Sequence, residues 1–156
     1  MGRKEFHTVR GYELLQQGEA LTPSMEDYLE MTCRLTRIKG YTRISDLANA
    51  LHVQAPSASR MVQKLAELGY LDYERYGIIR LTVAGQQIGA YLLQRHQTVE
   101  RFLRTIGVTE NVLEETEKVE HSISGQTLRC LQDLLAFLNR DNEWQQTLRR
   151  KKRLAD

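Results

Sequence analysis

ISDLANALHVQAPSASRMVQKLAELGYLDYERYGIIRLT, residues 44–82, changes its hydrophobic period partway along. Its first part puts Ile44, Leu47, Ala48 and Leu51 on one face of a short helix. A brief turn, His52-Val53-Gln54, follows. Ala58, Met61, Val62, Leu65 and Leu68 then form the apolar stripe of another helix. Pro56 suits that helix's first turn, where its missing N–H is no loss, and Gly69 suits the C-terminal cap. Beyond Gly69 the period becomes two, with β-prone residues either side of Tyr76-Gly77, which predicts a two-stranded hairpin.

Working outward, "TPSMEDYLEMTCRLTRI" predicts a helix over about 24–38, opened by Thr-Pro-Ser and stopped by Gly40. Helix, short helix, turn, helix, hairpin is the order of a winged helix-turn-helix. Downstream, a long helix is predicted over about 83–105, with shorter ones over 109–119, 122–139 and 141–153. The fold class is therefore mainly α: a winged helix-turn-helix over 21–82 and an all-helical region over 83–156. Residues 1–20 form an N-terminal arm ahead of the compact pattern, and "RRKKR" at 149–153 reads as a solvated basic ending.

The chain's 156 residues are enough for one or two small domains, and 41% hydrophobic with 27% charged residues is ordinary for a globular protein. No apolar run reaches the roughly 18 residues of a membrane span, and no signal-peptide pattern opens the chain. Cys33 and Cys130 are far apart, so no disulfide framework is expected. A cytoplasmic protein without membrane partners is the expectation. Charge is uneven: residues 34–82 carry eight Lys/Arg against four Asp/Glu, whereas 83–148 carry six against nine. The first balance suits a polyanion and the second a cation.

In a winged helix-turn-helix the second helix of the pair enters the major groove. Gln54, Ser57, Ser59, Arg60, Gln63 and Lys64 lie off its apolar stripe. Ser and Gln read base edges, while Arg60 and Lys64 neutralise phosphates, with Arg75 and Arg80 near the hairpin reaching the flanking backbone. The same residues also fit a solvated helix face, and the same module can serve protein contacts.

A second constellation stands at Glu117, Glu120 and His121, spaced three and four apart so that all three share one helix face. Asp27 and Glu30 have the same spacing of three, and His96 interrupts an apolar stripe between Leu92 and Val99. Carboxylates and imidazoles in this pattern can hold a divalent metal. Each also has a plainer explanation: an acidic solvated face, a helix-dipole partner for Asp27, a hydrogen-bonded core histidine. Spacing alone does not bring these three helices together. A metal-dependent hydrolase is a rival reading, yet no phosphate-cradling loop or nucleophile triad accompanies it. A winged-helix regulator sensing an organic ligand is another.

"TPSMEDYLE", "KGYTRISDLANAL", "MVQKL", "GIIRLT", "RHQTVERFLRTIGV" and "VEHSIS" together span about three quarters of the chain, from Thr22 to about Asn139. In these strings the chain resembles the manganese-transport-regulator branch of the diphtheria-toxin-repressor family. The resemblance implies a DNA-binding winged helix, a helical metal-binding and dimerisation domain over 83–156, and metal held between the two. It implies the ligands Asp27, Glu30, His96, Glu117, Glu120 and His121. Glu100, four residues after His96 where iron-type members use an H-x-x-x-E pair, is a lesser candidate, its plainer reading being a surface ion pair. Cys33, three residues beyond Glu30 on the same side of the helix, is either a stray soft ligand or, more plainly, a small buried thiol. Iron-type members carry methionine where this chain has Asp27 and cysteine where it has Glu117. The resemblance thus implies a homodimeric, Mn(II)-activated repressor of metal-uptake genes acting at palindromic double-stranded DNA operators, not an enzyme. Two ions per subunit are expected, with Fe(II), Zn(II), Co(II) or Cd(II) as substitutes. An iron- or broad-divalent-metal-responsive repressor is the alternative. "QAPSAS" sets its proline one position later than the branch's pattern, which implies a different operator preference.

Overall fold

The computed structural model describes residues 21–141 together with 143, 144, 146, 147 and 150. The N-terminal arm, the side chain of Arg75 and all of the basic ending except Arg150 lie outside the described residues.

Helix α1 spans Pro23–Lys39. Thr22 caps it by accepting a hydrogen bond from the Met25 amide, and Gly40 ends it at φ 75°, a conformation natural to glycine. Strand β1 is Thr42–Arg43, α2 is Ile44–Ala50, and α3, the predicted recognition helix, is Ala55–Glu67. Strands β2 (Leu71–Glu74) and β3 (Ile78–Leu81) form the hairpin around Arg75–Gly77, where Tyr76 and Gly77 both take positive φ. The sheet has three strands rather than the two expected, in antiparallel order β1-β3-β2, because Thr42 and Arg43 pair with Ile79 and Ile78. Two residues without alternation are too short to announce a strand.

Leu29, Leu47, Ala58, Val62, Leu65, Ile79 and Leu92 are buried in one core. Leu92 belongs to α4 (Val83–Ile106), so the long helix closes the winged-helix core before carrying the helical region. Two glycines allow this. A Cβ at Gly85 would stand 1.9 Å from the Tyr70 carbonyl oxygen, and one at Gly89 would stand 2.8 Å from Cys33 Cβ. Glycine there lets α4 lie close against α1 and the start of the wing.

Helix α5, Val112–Glu120, packs on α4 through Val112, Thr116 and Glu120, buried at intervals of four. Its start falls three residues later than predicted, after Asn111 at φ 49°. Helix α6 is Gly125–Arg140, with Leu128 and Leu135 buried and Leu134 and Phe137 exposed. The described residues of the stretch predicted helical over 141–153 are helical at 143, 144, 146, 147 and 150.

Candidate metal centre

Helix α1 sends Asp27 and Glu30 toward α4 and α5. Helix α4 offers His96 from its buried face, and α5 presents Glu117 and Glu120, with His121 capping it in helical backbone conformation. The six residues fall into two groups. One donor atom each from Asp27, Glu117 and His121 lies within 4.8 Å of the others, and the same holds for Glu30, His96 and Glu120.

The groups adjoin. His96 Nδ1 stands 2.9 Å from Glu120 Oε2, 3.4 Å from Glu117 Oε1 and 3.8 Å from Glu30 Oε1. His121 Nε2 stands 3.0 Å from Asp27 Oδ1 and 3.9 Å from Glu120 Oε1. Glu120 therefore aims one oxygen at each histidine. It is fully buried, and its Oε1 accepts no hydrogen bond. A buried acceptor left without a partner is costly, more so on a charged group, and a cation placed between the two histidines would satisfy it.

Charge leads the same way. Five carboxylates (Glu26, Asp27, Glu30, Glu117 and Glu120) gather around two guanidiniums, Arg34 and Arg95. Protons answer part of the excess. The hydrogen bond to Glu120 raises the His96 pKa despite burial, and hydrogen bonds to Asp27 and Glu26 push His121 up to about 10. Burial, with Glu120 close by, raises Glu117. A cluster that recruits protons this strongly, with only oxygen and nitrogen donors, fits a divalent cation. A cleft of about 570 Å³ opens onto it, lined by Asp27, Glu30, His96 and Glu117 and also by His52 and Leu113.

The lesser candidates stand apart from the two groups. Glu100 Oε2 is 4.0 Å from His96 Nε2, and its other oxygen accepts from Arg104. Cys33 packs against Gly89, where burial raises its thiol pKa.

Three contacts escaped the sequence reading. Arg34 donates twice to Glu30 Oε1, at 2.6 and 3.0 Å. Glu26 Oε2 accepts from both Arg95 Nη2 and His121 Nδ1, each at 2.6 Å. Burial alone would raise the Glu26 pKa, but these two bonds outweigh it and hold the carboxyl below its usual range. Arg95 carried a legible signal. It sits with Leu92, His96 and Val99 at buried helical spacing, and a buried arginine demands a carboxylate.

On the DNA-binding side, Gln54, Ser57, Arg60, Gln63 and Lys64 are exposed along α3, and Ser59 is half-buried with its hydroxyl 3.3 Å from the Tyr73 hydroxyl. Arg80 is engaged with Glu74 across the hairpin.

The chain is similar to known proteins in sequence and in fold. Over 129 residues the chain is 43% identical to the HTH-type transcriptional regulator MntR of Geobacillus kaustophilus (strain HTA426), covering 82% of this chain and 92% of that protein. The regulator of the same name from Geobacillus thermodenitrificans (strain NG80-2) matches equally well. Among solved structures, T. acidophilum IdeR superposes with a TM-score of 0.64 at 28% identity, covering 76% of this chain and 56% of that one. A manganese-dependent transcriptional repressor in complex with manganese gives 0.66 at 28% identity, covering 72% and 53%. The chain spans little more than half the length of these two solved proteins. Among the described residues no helix is long and apolar enough to cross a membrane. Residues 20–79 match the family model "Iron dependent repressor, N-terminal DNA binding domain", and residues 82–149 match "Iron dependent repressor, metal binding and dimerisation domain". The chain thus belongs to the iron-dependent repressor family of metal-dependent transcriptional regulators.

Proposed function

We propose that this chain is a cytoplasmic, Mn(II)-activated, homodimeric repressor that binds palindromic operators of metal-uptake genes, manganese transport among them. The observation that carries the reading is the pair of three-donor groups with Glu120 between them. We assign Asp27, Glu117 and His121 to one ion and Glu30, His96 and Glu120 to a second, giving two per subunit. All six donors are carboxylate or imidazole, a set suited to a hard ion such as Mn(II). Ligand affinity alone ranks Zn(II) above Mn(II), so preference for manganese comes from coordination geometry, and Fe(II), Co(II), Zn(II) and Cd(II) are expected to substitute.

Bound there, a divalent ion supplies the positive charge that the carboxylate cluster lacks. The chain's residues turn that into a signal. Asp27 and Glu30 belong to the winged-helix part (21–82), and the other four belong to the helical part (83–156). Holding all six together restricts how α1 sits against α4 and α5, and so restricts the angle between the two winged helices of a dimer. The exposed Leu134 and Phe137 on α6 support self-association through that helix. The restricted dimer then presents both α3 helices at operator spacing. Gln54, Ser57, Ser59 and Gln63 are assigned to base edges, and Arg60, Lys64 and Arg75 to phosphates. The ligand helps only because it binds the DNA-competent arrangement better than the others.

The test is fluorescence anisotropy on DNA from upstream of metal-transporter genes, with Mn(II), Fe(II), Zn(II) or EDTA. Tight binding with Mn(II), lost in EDTA and in Glu117→Ala and His121→Ala dimers, is the expected result. Equal binding in EDTA would overturn the reading.

A further inference from the structure

We propose that Glu26 and Arg95 are a positioning pair for His121, holding its ring by Nδ1 so that Nε2 faces the metal donors. The inference rests on the metal reading above and assigns roles to two residues outside both donor groups.

The geometry is directional. His121 Nδ1 lies 2.6 Å from Glu26 Oε2 on one side of the ring, and Nε2 lies 3.0 Å from Asp27 Oδ1 on the other. When a metal replaces the Nε2 proton that faces Asp27, a ring that still donates Nδ1–H to a fixed carboxylate presents Nε2 as the ligand atom. Metal-bound histidines commonly donate their second N–H to a carboxylate, and losing that partner weakens metal binding about 10–100-fold. Glu26 is itself fixed: Arg95 donates to Oε2 at 2.6 Å and to Oε1 at 3.3 Å, from a side chain only 4% exposed. Arg95 Nη2 also lies 3.3 Å from His121 Nδ1. Arginine has no acceptor, so once Nδ1 carries its proton that proximity is no hydrogen bond; Glu26 joins the two.

The pair is a poor device for stability alone. Arg95 Nε is buried without a partner, and a buried ion pair is often no better than apolar residues of similar size. What it contributes is placement. Glu26 lies on α1, Arg95 on α4, and His121 caps α5, so the three groups meet where the helices do. Each member of the pair also immediately precedes a candidate ligand, Asp27 and His96. The contact therefore sets the approach of α1 to α4 on the face beside the metal donors.

The experiment uses the full chain with Zn(II), a diamagnetic probe, and reads both affinity by calorimetry and the His121 ring by nitrogen-15 NMR. In the wild type a slowly exchanging Nδ1–H with metal-bound Nε2 is expected. Glu26→Ala should lose that Nδ1–H signal and weaken Zn(II) and Mn(II) binding about 10–100-fold. Glu26→Gln, whose amide oxygen still accepts Nδ1–H, should recover most of the affinity. If Glu26→Ala does not fold, the E26M/R95M double variant removes both charges together and should show the same losses. Wild-type protein that takes up no divalent ion overturns the metal reading and this proposal together. Wild-type binding with unchanged affinity and an unchanged Nδ1–H signal in Glu26→Ala or the double variant overturns the positioning role alone, as does a Glu26→Gln variant no better than Glu26→Ala.

Discussion

Glu120 places Oε2 2.9 Å from His96 Nδ1, while its Oε1, 3.9 Å from His121 Nε2, accepts no hydrogen bond. One fully buried side chain thus touches both donor groups. Glu120→Gln keeps its shape and removes its charge. It is expected to abolish Mn(II)-dependent operator binding and lower the calorimetric stoichiometry. The metal-free variant loses the buried charge but also the charge-assisted bond to His96, so its thermal melting is measured alongside to separate loss of metal from loss of fold. Full Mn(II) stoichiometry in Glu120→Gln would remove Glu120 from the site.

Asp27 and Glu117 carry the manganese assignment, since sulfur donors stand there in the iron-type pattern. Asp27→Met and Glu117→Cys should each shift activation away from Mn(II) and toward Fe(II) and later metals. The measurement is the ratio of operator affinities with Mn(II) and Fe(II) under anaerobic conditions. An unchanged ratio counts against both assignments.

Metal uptake should release protons. The bonds to Asp27 and Glu26 push His121 up to about 10, against about 6.5 for an unperturbed histidine. A raised folded value means that these bonds stabilise the metal-free protein fully below the unfolded value, and the contribution is lost as pH rises toward 10. The same proton competes with metal, so Mn(II) affinity should climb with pH across the neutral range. Calorimetry in two buffers of different ionisation enthalpy reads the protons directly; an enthalpy independent of buffer would sink the prediction.

Arg60 is exposed on α3 and belongs to neither donor group. Arg60→Ala should weaken operator binding broadly across sequences and reduce the salt slope by about 1, the signature of a lost phosphate contact. Its Mn(II) affinity should stay at the wild-type value. A change confined to one operator base would instead make Arg60 a base reader.

Gly85 sits where a Cβ would stand 1.9 Å from the Tyr70 carbonyl. Gly85→Ala must push α4 off the wing and should cost about 1–3 kcal/mol, the range for overpacking. His96 is carried on the same helix, so Mn(II) affinity should fall with stability. Thermal melting together with metal titration checks the coupling; a stable variant with normal metal binding would show that α4 tolerates the shift.

The order of helices and the hairpin could be read from the chain because their signals are local. Thr22 and Pro23 open α1, Gly40 closes it, Pro56 opens α3, and Tyr76-Gly77 marks the turn. β1 could not be read, because two residues acquire strand geometry only by pairing with β3. At the site, the spacing of Glu117, Glu120 and His121 placed them on one face, and family likeness named Asp27, Glu30 and His96 beside them. Arg34 went unnoticed although its partner Glu30 lies four residues away on the same face; Glu26 and Arg95 did so because their partners lie on other helices, and the buried spacing of Arg95 signals only that it needs a carboxylate, not which one.

Local periodicity and capping chemistry, then, determined from sequence alone which segments are helical and which faces carry charge. Only the tertiary structure decided that six donors form two groups joined at Glu120, and that Glu26 and Arg95 hold His121 between three helices. The physical reason is range. Backbone propensity and side-chain spacing act over one or two turns, whereas the distance between Asp27 and His121 depends on how closely α4 approaches α1, which the absent side chains at Gly85 and Gly89 set through packing.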